Sequence, residues 1–125
     1  MNPWQVRASD FPAQGSFREQ LLFLLRYAIL APSSNNSQSW RFGIDGDGVR
    51  VLLDERYWLR VCDPDRRELH LNAGCALENL LVAAEHFGFG HRVDYFPDPG
   101  APSLAAVVQF PRGGAPSAHR PPVLF

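Results

Sequence analysis

The sequence predicts an α+β domain in which a helix, a β-hairpin, a second helix and a second β-hairpin follow one another. Two apolar segments, residues 17–30 and 64–87, have helical periodicity. Each is followed by two short segments typical of strands that flank a turn rich in Asp, Gly or Pro. This order suits a sandwich of helices on a mainly antiparallel sheet.

The first helix is predicted to begin after Ser16. Ser16 and Glu19 have the spacing of a capping box, in which the hydroxyl and the carboxylate each accept a backbone N–H of the other residue. Pro32 disfavours helical geometry at the residue before it, so the helix should end near Leu30. Because almost no polar face remains along residues 17–30, we expect this helix to be covered on most sides.

The two hairpins are predicted from turn sequences. Residues 40–44 and 49–53 flank Asp45–Gly48, whose residues tolerate positive φ. Residues 93–96 and 104–110 flank a turn that begins with Pro97–Gly100. The acidic turn lacks the downstream glutamate of a calcium loop, which favours a plain hairpin.

The second helix is predicted to run from about Pro64 to Phe87, with Asp63 as its N-cap and Gly88 ending it. Gly74 lies mid-helix, where glycine costs about 1 kcal/mol relative to alanine. We therefore expect Gly74 to allow close approach of another backbone or a ligand.

The flanks differ from this central part. Residues 1–15 are predicted to be an arm packed on an unidentified partner, residues 16–110 the domain, and residues 111–125 a Pro/Gly-rich linker. The linker leads to the apolar residues Val123–Phe125, which we interpret as a truncated C-terminus.

Composition excludes several classes of protein. The net charge is -1, with 12 arginines and no lysine, and the arginines are scattered, so nucleic-acid binding is not expected. No signal-peptide core and no run of roughly 18 apolar residues occurs, which predicts a cytoplasmic protein without a membrane segment. Cys62 and Cys75 lack metal or redox spacing, and His70 and His86 lie too far apart along a helix to share a metal. No metal site is therefore predicted.

The loop between the first helix and the first hairpin is the candidate site. It contains seven consecutive hydroxyl or amide side chains, Ser33–Ser39. Each can donate and accept, which suits the edge of a heteroaromatic ring and a polyol but supplies no nucleophile and base. No catalytic residue is therefore assigned. The alternative is a connector built from Asx turns or an N-cap.

Three segments resemble a known family. Residues 31–40, APSSNNSQSW, resemble the Ala-Pro-Ser-Ser-x-Asn-x-Gln-Pro-Trp signature of nitroreductases. Residues 74–90, GCALENLLVAAEHFGFG, resemble the family's Gly-x-Ala-x-x-Asn-Leu-x-x-Ala-Ala-x-x-x-Gly-x-Gly helix. Residues 63–69, DPDRREL, resemble the larger, dormancy-associated actinobacterial subgroup, of which the chain would be the N-terminal half.

The resemblance implies an α/β sandwich half that binds FMN at the interface of two similar halves or subunits. It implies that Ser33, Ser34 and Asn36 contact the flavin, with Pro32 shaping the loop and Gln38 as a further contact. The implied reaction is hydride transfer from NAD(P)H to FMN, then reduction of a small nitroaromatic or quinone-like electron acceptor. Cys75 is either a packed thiol or adjacent to the flavin.

Three departures from the family pattern leave alternatives open. Ser39 replaces the proline before Trp40, so we expect a less rigid loop. The family's Arg-x-Ser-x-Arg phosphate entry has only the fragment Arg7-Ala8-Ser9 as a counterpart, and the family's second half does not follow Phe125. The alternatives are a flavin-sequestering protein without turnover, and an inactive truncated half-domain. A homodimer or a missing C-terminal half is the expected partner.

Overall fold

The computed structural model describes residues 3–111. These residues form two helices, α1 (Phe17–Ala28) and α2 (Arg67–His86), and four strands, β1 (Trp40–Asp45), β2 (Gly48–Leu53), β3 (Arg92–Tyr95) and β4 (Leu104–Gln109). The predicted α+β class and the order of elements are confirmed. The linker and C-terminus predicted at 111–125 lie, beyond Pro111, outside the described residues.

The sheet has the order β1-β2-β4-β3, and all three pairings are antiparallel. The first turn is closed by the pair Asp45 and Gly48, with Gly46 at φ +61°, a left-handed conformation that glycine adopts without cost. The two hairpins lie side by side through β2 and β4. Phe96, predicted as the end of a strand, instead has φ +47° and follows the last residue of β3.

One face of the sheet packs against the helices. Alternate residues of β2 and β4 are buried, as the two-residue period of a strand requires. They join residues of α1 and α2 in a single apolar core, which includes Leu21, Leu24, Val49, Val51, Leu69, Leu80, Ala106, Val108 and Phe110. Neither helix is both long and apolar enough to cross a membrane.

Helix α1 runs antiparallel to α2, and its C-terminal end lies against the middle of α2. The Phe17 ring lies 5.8 Å from that of Phe89, while the Tyr27 carbonyl accepts from Asn79 Nδ2 at 3.1 Å. Ser16 Oγ accepts from the Glu19 N–H at 3.1 Å, the predicted helix cap. The helix ends at Ala28, two residues before the predicted end.

The predicted start of α2 at Pro64 is wrong. Arg66 has φ 63° and ψ 14°, a left-handed conformation that cannot continue a helix, so α2 begins at Arg67. Asp63 nevertheless caps it, because its carboxylate accepts from the backbone N–H of Glu68 at 3.0 Å and of Leu69 at 2.9 Å. The N-cap position is occupied by Arg66 and not by the predicted Asp63, whose carboxylate reaches the first turn of α2 from three residues further back.

The N-terminal arm has a visible partner. The Phe11 ring stacks on Phe87 at 4.6 Å and meets Phe23 edge-on at 5.5 Å. Residues 3–5 and 8–10 form single turns of 3₁₀ helix. The arm is therefore tied to the C-terminal end of α2, away from the loop that follows α1.

Candidate functional site

Both ends of the loop rest on α2. Ala31 and Trp40 are buried together with Ala76, and Phe42 and Cys75 pack against this small cluster. The apolar contacts therefore fix where the polar segment leaves α1 and where it enters β1. Cys75 lies half-buried at the base of the loop, as a free thiol.

The loop backbone is unusual. Ser34–Asn36 form one 3₁₀ turn, and Asn35, Asn36 and Gln38 have φ between 49° and 53°. Left-handed φ is uncommon for residues that carry a Cβ, although asparagine tolerates it better than most. The loop therefore has a specific folded backbone and is not an extended segment.

The five predicted contact residues do not share one environment. Pro32, Asn36 and Gln38 are exposed, while Ser33 and Ser34 are half-buried. Ser33 Oγ accepts from the Gln38 N–H at 3.0 Å, and Gln38 Nε2 donates to Asn36 Oδ1 at 3.4 Å. The structure thus joins Ser33, Asn36 and Gln38 at the surface of the loop.

Asn72 of α2 is the polar residue that sequence reasoning missed. It is 6% exposed, and its Oδ1 accepts from the Ser34 N–H at 3.1 Å. Its Nδ2 donates to Ser39 Oγ at 3.0 Å and more distantly to Ser37 Oγ at 3.4 Å. Ser34 is therefore held from the inside of the loop, toward α2.

The segment after β2 closes the far side of this network. The Ser39 carbonyl accepts from the Asp54 N–H at 2.9 Å. The Asp54 carboxylate is paired with Arg56, whose Nε and Nη2 lie 2.9 Å and 2.8 Å from its two oxygens. The hydrogen bond from Arg56 lowers the pKa of the Asp54 carboxyl. The lowered pKa favours the ionised form of Asp54, and the positive charge of Arg56 balances its negative charge.

No part of residues 3–111 makes the close approach to Gly74 that the sequence suggested. A Cβ built on Gly74 meets no atom within 4 Å, because the residue faces outward on α2. Any close approach at this position would come from outside residues 3–111.

The fragment Arg7-Ala8-Ser9 lies far from the loop. It precedes Phe11, which contacts Phe87, and Phe87 is about 22 Å of helix rise from Asn72, the residue of α2 that holds the loop.

The donor set defines what the loop can bind. Asn36 and Gln38 present carboxamide groups at an exposed surface and the half-buried Ser33 adds a hydroxyl, and each group retains capacity to donate or accept. This chemistry fits the ring edge and ribityl chain of a flavin. Within residues 3–111, no group of three His, Cys, Asp or Glu side chains is placed to hold a metal ion.

Solved structures share this architecture. A structure described as "Putative NADH Oxidase" from Clostridium acetobutylicum aligns with a TM-score of 0.61 and 19% identity, over 81% of this chain and 78% of that one. A "putative nitroreductase in complex with fmn" from Desulfovibrio desulfuricans aligns with a TM-score of 0.59 and 24% identity, over 78% and 76%. At these identities the likeness shows the fold.

Sequence comparison adds related proteins. "Putative NAD(P)H nitroreductase Rv3131" of Mycobacterium tuberculosis is 37% identical over 81 residues, which are 65% of this chain and 24% of that protein. "Putative NAD(P)H nitroreductase acg" of the same species is 34% identical over 86 residues, 69% of this chain and 26% of that protein. The chain is nitroreductase-like in both sequence and fold.

This nitroreductase-like chain spans about a quarter of the length of the curated relatives it matches. No protein-family profile matches it. The relatives are proteins of Mycobacterium tuberculosis, in agreement with the actinobacterial subgroup inferred from residues 63–69.

Proposed function

We propose that this chain forms the flavin-binding part of an FMN-dependent NAD(P)H oxidoreductase of nitroreductase type, acting in the cytoplasm on small nitroaromatic or quinone-like acceptors. The observation that carries the proposal is the loop after α1, whose exposed side chains form one polar surface while Asn72 and Ala76 hold it from below. The names of the relatives support NAD(P)H as the reductant.

Each predicted residue has a role in this proposal. Ser33, Asn36 and Gln38 would hydrogen-bond the flavin from the exposed side of the loop, and Ser34 would contribute through its hydroxyl. Pro32 would fix the backbone where the loop leaves α1. A bound flavin would supply the redox chemistry, accepting a hydride equivalent and passing electrons to the acceptor. The protein orients the ring and sets its surroundings.

We propose further that another polypeptide surface completes the site, either a second copy of this chain or the remainder of a longer protein. Leu22 of α1 is 47% exposed and Ile29 is 38% exposed, beside an open groove lined by Gln38 and Trp40. Large apolar side chains grouped on one face are typical of interaction surfaces. Gln38 would therefore lie where loop and partner meet.

Titration of the purified chain with FMN, followed by quenching of flavin fluorescence, tests the proposal. Ser33→Ala, Asn36→Ala and Gln38→Ala should each weaken binding by about three- to tenfold, the usual effect of one lost hydrogen bond. Gln109→Ala is the matched control, because Gln109 lies at the other end of the sheet, near the turn of the first hairpin.

If the chain carries no flavin and binds none when FMN is added, the proposal is wrong. Anaerobic addition of NADH or NADPH to the FMN-loaded chain separates turnover from sequestration, because only an oxidoreductase would bleach the bound flavin.

A further inference from the structure

The side chain of Asn72 is bonded at both ends of its carboxamide. Oδ1 accepts from the Ser34 N–H at 3.1 Å and lies 3.4 Å from Ser34 Oγ. Nδ2 donates to Ser39 Oγ at 3.0 Å and lies 3.4 Å from Ser37 Oγ. One buried group of α2 therefore connects the first turn of the loop to its last residue.

This connection holds a backbone that is not favoured by its own sequence. Gln38 has φ +49°, and glutamine lacks the tolerance of asparagine for left-handed geometry. Such conformations persist where surrounding contacts over-determine them. Within the loop, the backbone N–H groups of Asn36 and Ser37 donate to the carbonyls of Ser33 and Ser34, both at 3.0 Å, and the Gln38 N–H donates to Ser33 Oγ at 3.0 Å. The bonds to Asn72 tie this loop to α2.

Ser39 stands where the nitroreductase signature has proline. Proline at position 39 would disfavour α-type geometry at Gln38, since the ring of a proline clashes with the residue before it. Serine relieves this restriction but loses the rigidity of the ring. Ser39 is 1% exposed, and its hydroxyl and carbonyl are fixed by Asn72 and by the Asp54 N–H, respectively.

We infer that Asn72 is a positioning residue for the loop and that it acts as a pair with Ser39. The pair sets the conformation that presents Ser33, Asn36 and Gln38 to the ligand. The inference rests on the proposed function for its ligand, FMN, but the ordering of the loop is a property of the chain without ligand.

Asn79 supplies a matched control on the same helix. It lies seven residues after Asn72 and therefore near the same helical face. It also makes one carboxamide bond to the preceding part of the chain, from Nδ2 to the Tyr27 carbonyl at 3.1 Å. Asn79 connects α2 to α1, whereas Asn72 connects α2 to the loop. Asn72→Leu and Asn79→Leu each remove a carboxamide while retaining a similar volume.

Hydrogen exchange of the loop amides in the ligand-free chain is the first measurement. Asn72→Leu should speed exchange at Ser34 and Gln38 about tenfold or more, while Asn79→Leu leaves both within about twofold of the original chain.

FMN affinity is the second measurement. Asn72→Leu should weaken it about 10- to 100-fold, by analogy with the loss of metal affinity when a residue that orients metal ligands is removed.

Ser39→Ala tests the pair and keeps the test usable if Asn72→Leu fails to fold, because it removes one hydroxyl and almost no volume. It should reproduce part of the loss in both measurements. The double variant should be little worse than Asn72→Leu alone, because the two residues share one bond.

Three results would overturn the inference: exchange and affinity unchanged in both Asn72→Leu and Ser39→Ala, equal effects of Asn72→Leu and Asn79→Leu, or additive effects in the double variant. If the original chain binds no FMN, the proposed function fails on its own, and loop exchange still decides the role of Asn72.

Discussion

Asp63 is 3% exposed, and its carboxylate lies against the start of α2. Burial alone would raise the pKa of this carboxyl, but hydrogen bonds from the backbone N–H groups of Glu68 and Leu69 outweigh it and lower the pKa below the ordinary 3.8. A lowered folded-state pKa contributes stability that is present above the unfolded-state value and lost as pH falls through the folded-state value.

The predicted consequence is a loss of stability in acid that depends on Asp63. Urea unfolding of the original chain should give a lower free energy of unfolding at about pH 3 than at about pH 6, and Asp63→Asn should reduce this difference. Asp94→Asn, an exposed change on β3, is the control and should leave the difference nearly unchanged. An equal pH dependence in all three proteins would show that Asp63 does not carry the effect.

At the same scale, the sequence reveals which residues are polar but not which of them meet. Asn72 lies between Leu69 and Ala76 on the apolar stripe of α2, and a buried amide there needs a partner. That signal was present. Its partners, Ser34 and Ser39, are more than thirty positions away, and their placement depends on left-handed backbone at Gln38, which no local preference specifies. The contacts of Ser33, Asn36 and Gln38 with a flavin remain predictions.

At the scale of the elements, two glycines in and just after α2 differ in backbone conformation. Gly74 lies within the helix and is exposed, whereas Gly88 follows its end with φ +85°. A Cβ at either position meets no atom within 4 Å, so only backbone conformation distinguishes them. Gly74→Ala should raise the free energy of unfolding by about 0.5–1 kcal/mol, and Gly88→Ala should lower it by about 1–2 kcal/mol. Thermal or urea unfolding would show both changes, and equal signs would contradict the assignment.

The Gly74→Ala variant also tests what approaches α2 from outside. If a flavin or a second chain lies against this position, the variant should be more stable alone and yet bind FMN or self-associate more weakly. If FMN binding and self-association are both unchanged in this variant, neither a flavin nor a second chain lies against Gly74. The sequence-based interpretation of Gly74 would then be wrong.

The elements themselves were largely predictable because their signals are local. Ser16 marked the start of α1, and the Asp45–Gly48 turn marked the first hairpin. The start of α2 was placed three residues early because the sequence Asp-Pro-Asp favours a helix start, while the left-handed Arg66 is stabilised by tertiary contacts. Arg66 Nη1 lies 2.8 Å from Glu55 Oε1, and its guanidinium lies 4.5 Å from the centre of the Trp58 ring.

At the scale of the whole molecule, α1 and the residue after it leave apolar side chains that residues 3–111 do not cover. The prediction that this helix is covered on most sides holds for Leu21 and Leu24, which are buried, and not for Leu22 and Ile29. Periodicity predicted an almost entirely apolar helix but could not show which of its apolar residues the described chain leaves exposed. Arg26, at the same groove, keeps its guanidinium 5.7 Å from the Phe23 ring.

If a second copy covers this face, sedimentation of the original chain should show a concentration-dependent dimer. Leu22→Arg combined with Ile29→Arg should weaken the dimer about tenfold or more, because each change places a charge against apolar surface. The buried core is untouched, so the free energy of unfolding of the isolated chain should change by less than about 0.5 kcal/mol per site. Val61→Arg, at a residue 93% exposed, controls for added charge. A monomer at every concentration would exclude self-association, and a dimer that survives both substitutions would place the interface elsewhere.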